Sequence, residues 1–193
     1  MNSTNGRVGI CCMGIGAPAV VAQLEVLASL GVRRFLSFGT AGGLNADLTP
    51  GDVIVLTGAI RDEGTSYHYV EPGSDVGPDT DLTDKLTAAL VSSHMPMRSG
   101  RTWTTDAPYR ETVEEVIEFR RRGVLTVEME AAALFAVARA RGLHLASAVV
   151  IDGVFGEPIG PPKMDTATAF GKLYDLFLVG IDLLAAPSGR DSL

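Results

Sequence analysis

Short apolar runs punctuated by glycine alternate with longer stretches of helical spacing along the chain. "RVGICCM" (7–13) predicts a strand, and "GIGAP" (14–18) a strand-to-helix turn. "AVVAQLEVLASLG" (19–31) has helical spacing and ends on Gly31, a C-cap residue. "RRFLSFGTAGG" (33–43) reads as a strand entering a glycine-rich turn, and "GDVIVLTGAI" (51–60) as a third strand. "EPGSDVGPDTD" (71–81) is a polar loop, and "LTDKLTAALVSS" (82–93) a surface helix with Asp81 near its start. "ETVEEVIEFRRRG" (111–123) is acidic early and basic late, as the helix dipole favours. "VLTV" (124–127) predicts a strand, "EAAALFAVARARG" (130–142) a helix and "LASAVVI" (145–151) a strand. "TATAFGKLYDLFLVGIDLLA" (166–185) closes the pattern as an amphipathic helix, with residues 185–193 as a frayed tail. Strand, helix, strand order predicts α/β architecture with parallel pairing, in one domain spanning 1–193.

Composition narrows the partners. The chain has 193 residues, 46% apolar and 20% charged, the balance of a globular protein. A net charge of −7 argues against nucleic acid and anionic membranes as partners. No apolar run reaches the roughly 18 residues of a membrane span, and "MNSTNGRVGI" lacks the order of a signal peptide. Cys11 and Cys12 are the only cysteines. They read as a small apolar pair in a buried strand, in a reduced cytoplasmic setting, and no metal spacing accompanies them.

In an open parallel sheet, ligands bind beyond the carboxyl ends of the strands. "GIGAP", "GTAGG" (39–43), "EME" (128–130) and "DGVFGE" (152–157) fall at such ends, which predicts one pocket on one edge. "GIGAP" opens a helix, so its N–H groups can face an anion; equally, it can be no more than a tight turn. It is neither a Walker motif nor a full dinucleotide fingerprint. "GTAGG" has the same two readings, and Thr40 adds a hydroxyl suited to an oxygen-rich ligand. Glu128 and Glu130 stand two apart, on one side of an extended segment. Carboxylates only accept hydrogen bonds, so the pair suits vicinal hydroxyls such as those of a ribose. Met129 suits packing against a sugar face. The plainer alternative is a pair of acids stabilised in a first helical turn.

Taken in order, "GIGAP", "GTAGGL…GDVIV" and "VEMEAAALFAVA" resemble the nucleoside phosphorylase and nucleosidase superfamily. "RDEGTSYHY" (61–69) and "TWTTDAPYRET" (102–112) resemble its uridine-phosphorylase-like branch. The resemblance covers roughly residues 8–152 and implies a three-layer αβα fold around a mixed, partly barrel-like sheet. It implies cleavage of an N-glycosidic bond by phosphate, giving ribose 1-phosphate and free base. By this resemblance Glu130 binds the ribose 2′ and 3′ hydroxyls, Met129 packs on the sugar and Glu128 helps close the pocket. Thr40 falls near phosphate and ribose, with Gly14, Gly16 and Gly39 in the phosphate loops. Tyr109, Arg110 and His68 fall near the base, while His94 and His144 read as structural. No metal or organic cofactor is implied, only inorganic phosphate as co-substrate, and homo-oligomers from dimers to hexamers are expected.

Three departures accompany the resemblance. The family carries a further N-terminal segment with an arginine-bearing phosphate loop, so a shortened member is expected. Where phosphorylases carry an arginine before the "G-[ST]" motif, this chain has Ser37, which removes a bidentate phosphate partner. The acid that protonates a purine is expected at position 153; that residue is Gly153, and the aspartate is Asp152. Catalytic roles are therefore expected for Asp152 and Glu130. A phosphate-independent nucleosidase and a weakened nucleoside-binding or assembly protein remain the alternatives.

Overall fold

The structure is a computed structural model that describes residues 8–73, 76–156, 158–160 and 162–186. Six strands, β1 (Arg34–Gly43), β2 (Val53–Asp62), β3 (Met97–Thr105), β4 (Val124–Glu128), β5 (His144–Val154) and β6 (Lys163–Met164), form one sheet. Its order is β1-β4-β3-β2-β5-β6, and β1 also pairs with β5, so five strands close into a ring with β6 appended. The sheet is mixed: β1/β5, β2/β3 and β3/β4 are parallel, while β1/β4, β2/β5 and β5/β6 are antiparallel. The all-parallel expectation from element order is thereby corrected, and the mixed α/β class stands.

Helices cover both faces. α1 (Ala17–Ser29) and α4 (Ala131–Arg141) pack on one face, where Leu24, Leu134, Phe135, Ile54 and Val149 share a core. Residues 131–138 of α4 are all buried, which explains an alanine-rich helix without a polar stripe. α2 (Thr80–Ser92) and α5 (Thr166–Ala185) cover the other face, with Leu86, Leu176, Val55 and Val150 between them. Asp79 caps α2 by accepting from the Leu82 N–H and also contacts His144 Nδ1 at 2.8 Å. Gly180 lets α5 lie on β1, since a methyl group there would overlap the Phe38 ring. α3 (Val113–Arg121), begun by a Thr112–Glu115 capping box, completes a third core with Trp103, Val116 and Val127. No described helix is long and apolar enough to cross a membrane.

Several expectations change. Residues 8–14 form no strand, and Cys11 and Cys12 are exposed rather than buried, because no described strand pairs with this segment. "GTAGG" does not turn: β1 runs through Gly43 paired with β5, with one bulge in the ladder after Ala41. β3 is a strand the apolar pattern did not show. Of the expected tail, Ala185 ends α5 and Ala186 is its extended cap, while residues 187–193 lie outside the described residues.

Arg120 of α3 ties the far end of β1 to the end of β5. Its guanidinium donates to the Leu44 carbonyl and to the Phe155 carbonyl at 2.8 Å. Arg120→Met keeps the apolar stem and strips the donors, leaving part-buried carbonyls short of partners. Urea unfolding is expected to show about 1–3 kcal/mol lost, with an unchanged m-value.

Candidate active site

The β1/β4 ladder is two pairs long, Gly42 with Val127 and Gly43 with Thr126. Beyond it the antiparallel strands part. β4 ends at Glu128 and turns into α4, while residues 34–41 of β1 keep a ladder partner on the β5 side only, among the described residues. A cleft of about 670 Å³ opens in this gap, a size common for small-molecule sites. Gly14, Gly39, Thr40, Glu128, Met129 and Glu130 all line it. Three of the four expected stretches therefore converge, but because two antiparallel strands splay, not because all strands end on one edge.

Glu128 sits at the bottom, 8% exposed. Its Oε1 accepts from Thr104 Oγ1 at 2.5 Å, and its Oε2 from the N–H groups of Glu130 at 2.9 Å and Ala131 at 2.7 Å. From the last position of β4, ahead of the first turn of α4, this carboxylate takes up the N–H groups at the helix start. Burial pushes its pKa up to about 7; the Thr104 hydroxyl and the two N–H groups pull it down, and the charge of Glu130 adds to the rise.

Glu130 does something else. Its Oε1 accepts from the Gly16 N–H at 2.6 Å and its Oε2 from the Met129 N–H at 3.1 Å. The N–H at the α1 turn that the sequence offered to a ligand anion thus holds a protein carboxylate. Gly16 adopts φ +92°, a conformation that side chains rarely take, and the chain needs it to aim that N–H. Each Glu130 oxygen accepts one N–H and keeps further acceptor capacity toward the cleft.

Other expected residues lie elsewhere. Tyr109 is 99% exposed, Arg110 and His68 are exposed, and none of the three lines the cleft. They occupy short 3-10 turns, Pro108–Arg110 and Ser66–His68, at the surface. Asp152 does not line the cleft either. The ladder passes from Ala41–Ile151 to Gly42–Gly153, so Asp152 is the bulged residue, and Gly153 packs against Met164 of β6. The "DGVFGE" stretch is accordingly absent from the lining, except that Glu157 lies outside the described residues.

Sequence reasoning missed Thr102 and Thr104, fully buried on β3, and Ser147 on β5. It also missed the apolar wall of Phe170, Leu173 and Phe177 that α5 contributes. Alternating small hydroxyls in β3 were the available signal for the threonines. Strand alternation places Ser37 and Gly39 on the α1/α4 face and Leu36, Phe38 and Thr40 on the α5 face. The open edge of β1 lets both faces reach the cleft.

The profile described as "Phosphorylase superfamily" matches residues 2–173. This chain belongs to that superfamily. A guanosine phosphorylase from Halorubrum lacusprofundi is 38% identical over 144 residues, covering 75% of this chain and 60% of the relative. A uridine phosphorylase from Escherichia coli is 30% identical over 149 residues, covering 70% and 59%. A DeoD-type purine nucleoside phosphorylase from Bacillus cereus is 31% identical over 177 residues, covering 89% and 74%. The chain therefore spans about three-fifths of the length of the first two relatives. Among solved structures, the Plasmodium knowlesi homologue of the P. falciparum PNP superposes with TM-score 0.74 at 20% identity. That match covers 89% of this chain and 69% of the other, and it shows the shared fold.

The raised pKa of Glu128 has a stability consequence. A carboxyl with a folded pKa near 7 and an ordinary unfolded value of 4.5 binds more protons when folded. Its contribution is fully present below pH 4.5 and is lost as pH rises through about 7. Denaturation across pH 4.5–7.5 is expected to show a shallower decline for Glu128→Gln than for the native chain. Parallel slopes would remove Glu128 as the titrating group.

Proposed function

We propose that this chain cleaves the N-glycosidic bond of a nucleoside by phosphorolysis, releasing free base and ribose 1-phosphate. The observation that carries the reading is the Glu128–Met129–Glu130 turn, set in a cleft wall with the Gly39–Thr40 edge of β1 and the Gly14–Gly16 turn. The relatives named as guanosine, uridine and purine nucleoside phosphorylases support it.

In this reading Glu130 accepts from the ribose 2′ and 3′ hydroxyls while Met129 packs on the sugar. Glu128 acts on Glu130 rather than on substrate, by fixing the Glu130 N–H. Gly14, Gly16, Gly39 and Thr40 border the phosphate side, Gly16 through Glu130 rather than directly. A phosphate oxygen bonds to C1′ as the C1′–N bond breaks, and the bonding pair leaves with the base. Phosphate and Glu130 stabilise the positive charge that develops on the ribose. The base takes a proton as it departs, and Asp152 is the assigned donor, in a conformation that turns its side chain from the bulge toward the cleft. Tyr109, Arg110 and His68 remain the base-side residues of this reading, from short turns outside the cleft lining. No metal or organic cofactor enters this chemistry.

The wider setting follows from the same reading. The protein works in nucleoside salvage as a homo-oligomer, between dimer and hexamer. Phe170, Tyr174 and Leu178, exposed at helical spacing on α5, support an apolar contact face. A cytoplasmic location suits the exposed free thiols of Cys11 and Cys12, which persist in a reducing compartment.

One observation favours a second reading, phosphate-independent hydrolysis: among the described residues no Lys, Arg or His lines the cleft. The deciding assay is release of base from uridine, inosine, guanosine, adenosine and methylthioadenosine, with and without phosphate. Release that needs phosphate and forms ribose 1-phosphate is expected; release indifferent to phosphate would establish hydrolysis instead. Glu130→Gln is expected to lower kcat/KM at least about 10²-fold, and undiminished turnover would remove the ribose clamp from the reading. Asp152→Asn is expected to lower kcat for purine nucleosides by about 10², and an unchanged kcat would exclude it as the acid.

A further inference from the structure

Cys11 and Cys12 are adjacent, exposed and free, and both line the cleft. The segment that carries them, residues 8–14, forms no strand and has no ladder partner among the described residues. Their thiols make long contacts with neighbouring carbonyls, Cys11 Sγ to the Cys12 oxygen at 3.7 Å and Cys12 Sγ to the Met13 oxygen at 4.0 Å. Both sulfurs are therefore open to a reagent that enters the cleft. Among the described residues no third metal-ligating side chain joins the pair, so it does not form a metal centre there. Adjacent thiols suit two-electron oxidation instead, in which one sulfur is attacked and its neighbour resolves it.

We propose that Cys11 and Cys12 form a reversible dithiol–disulfide site in the cleft wall, oxidised by a peroxide. The thiolate of one cysteine attacks a peroxide oxygen, the O–O bond breaks, and a sulfenic acid and one water form. The neighbouring sulfur then attacks the sulfenic sulfur, the S–S bond forms, the S–O bond breaks, and the oxygen leaves as a second water. Two thiols are oxidised and one hydrogen peroxide is reduced. The α-carbons of consecutive residues lie about 3.8 Å apart, short of the roughly 4.4–6.8 Å that disulfides prefer. The bridge therefore twists the backbone between the two residues, which a segment outside the sheet permits, and its strain makes it readily reduced. The twist falls just before two anchors: the Gly14 N–H donates to Gln23 Oε1 at 3.2 Å, and the Gly16 N–H to Glu130 Oε1 at 2.6 Å. Oxidation thereby reaches the carboxylate assigned to the ribose; this consequence, unlike the bridge itself, rests on the phosphorolysis reading.

Hydrogen peroxide treatment of the whole chain, followed by intact mass and thiol titration, tests the site. The native chain is expected to lose both free thiols together and the mass of two hydrogens, without joining to a second chain, and dithiothreitol is expected to restore both thiols. Cys11→Ser and Cys12→Ser each keep one thiol and are expected to show no such loss of mass within one chain. Thiols that persist in the native chain, a bridge that forms only between chains, or oxygen gained in place of the hydrogens lost overturns the proposal. For the cleft, the guanosine KM of the oxidised native chain is expected to rise about tenfold and to return on reduction. The double variant Cys11→Ser/Cys12→Ser is expected to keep one KM with and without peroxide. A bridge with an unchanged KM, or an equal rise in the double variant, overturns its hold on the cleft. A reduced chain that releases no base sinks phosphorolysis alone, since mass and thiol count judge the bridge without substrate.

Discussion

The seam between β1 and β4 governs this molecule. Two residue pairs join these antiparallel strands and close the ring of five. One more pair in the ladder would carry β4 alongside Ala41 and draw the strands together where the cleft now opens. One fewer would leave the ring held at a single pair. The splay lets the middle of β1, rather than its end, face the turn into α4. It is also why a strand and a helix start can contribute to the same cavity wall.

The buried carboxylate of Glu128 keeps that splay from being loose. It gathers a hydroxyl from β3 and two N–H groups at the start of α4, and Thr104 in turn accepts from the Ala132 N–H at 3.0 Å. Glu130, held at its own N–H, reaches across to Gly16 and fixes the entry to α1. β3, β4, α4 and α1 are thus joined through two acidic side chains separated by one methionine. Two negative charges at the end of an apolar strand would be costly if left unmatched. Here backbone N–H groups and hydroxyls match them.

How legible this was depended on the element. α5 was read at its observed bounds, Thr166–Ala185, because its apolar positions recur at helical spacing and Asp165 caps it by accepting from Thr168. α4 was clear from its alanines. β3 was not, because its first half is polar and only partly buried and its buried half contains Thr102, Thr104 and Thr105 beside a single Trp103. Apolar periodicity cannot register a strand whose core-facing residues are threonines. The "GTAGG" run was misread for the opposite reason: glycine suggested a turn, whereas Gly42 and Gly43 stay in the strand, crowded by Val127 and by Leu48, Ile151 and Val154. The acidic pair and Thr40 were found as cleft residues, since their spacing carries the information locally. Where Tyr109, Arg110 and His68 lie relative to the cleft was not legible, because it depends on how loops fold back, which local spacing does not encode.

β5 contributes alternate residues to two separate cores. Leu145, Val149 and Ile151 join α1 and α4, while Ala146, Ala148 and Val150 join α2 and α5. The apolar residues in the middle of this strand are therefore committed to one layer or the other, and neither layer can melt while its half of β5 stays dry. The two layers should behave as one cooperative unit rather than two, with the amides of β5 among the last to exchange with solvent. The cleft shares this strand through Ser147 and Val149, so one wall of the cleft is drawn from the most protected part of the chain and the other, at Ile10–Gly14, from an exposed segment outside the sheet.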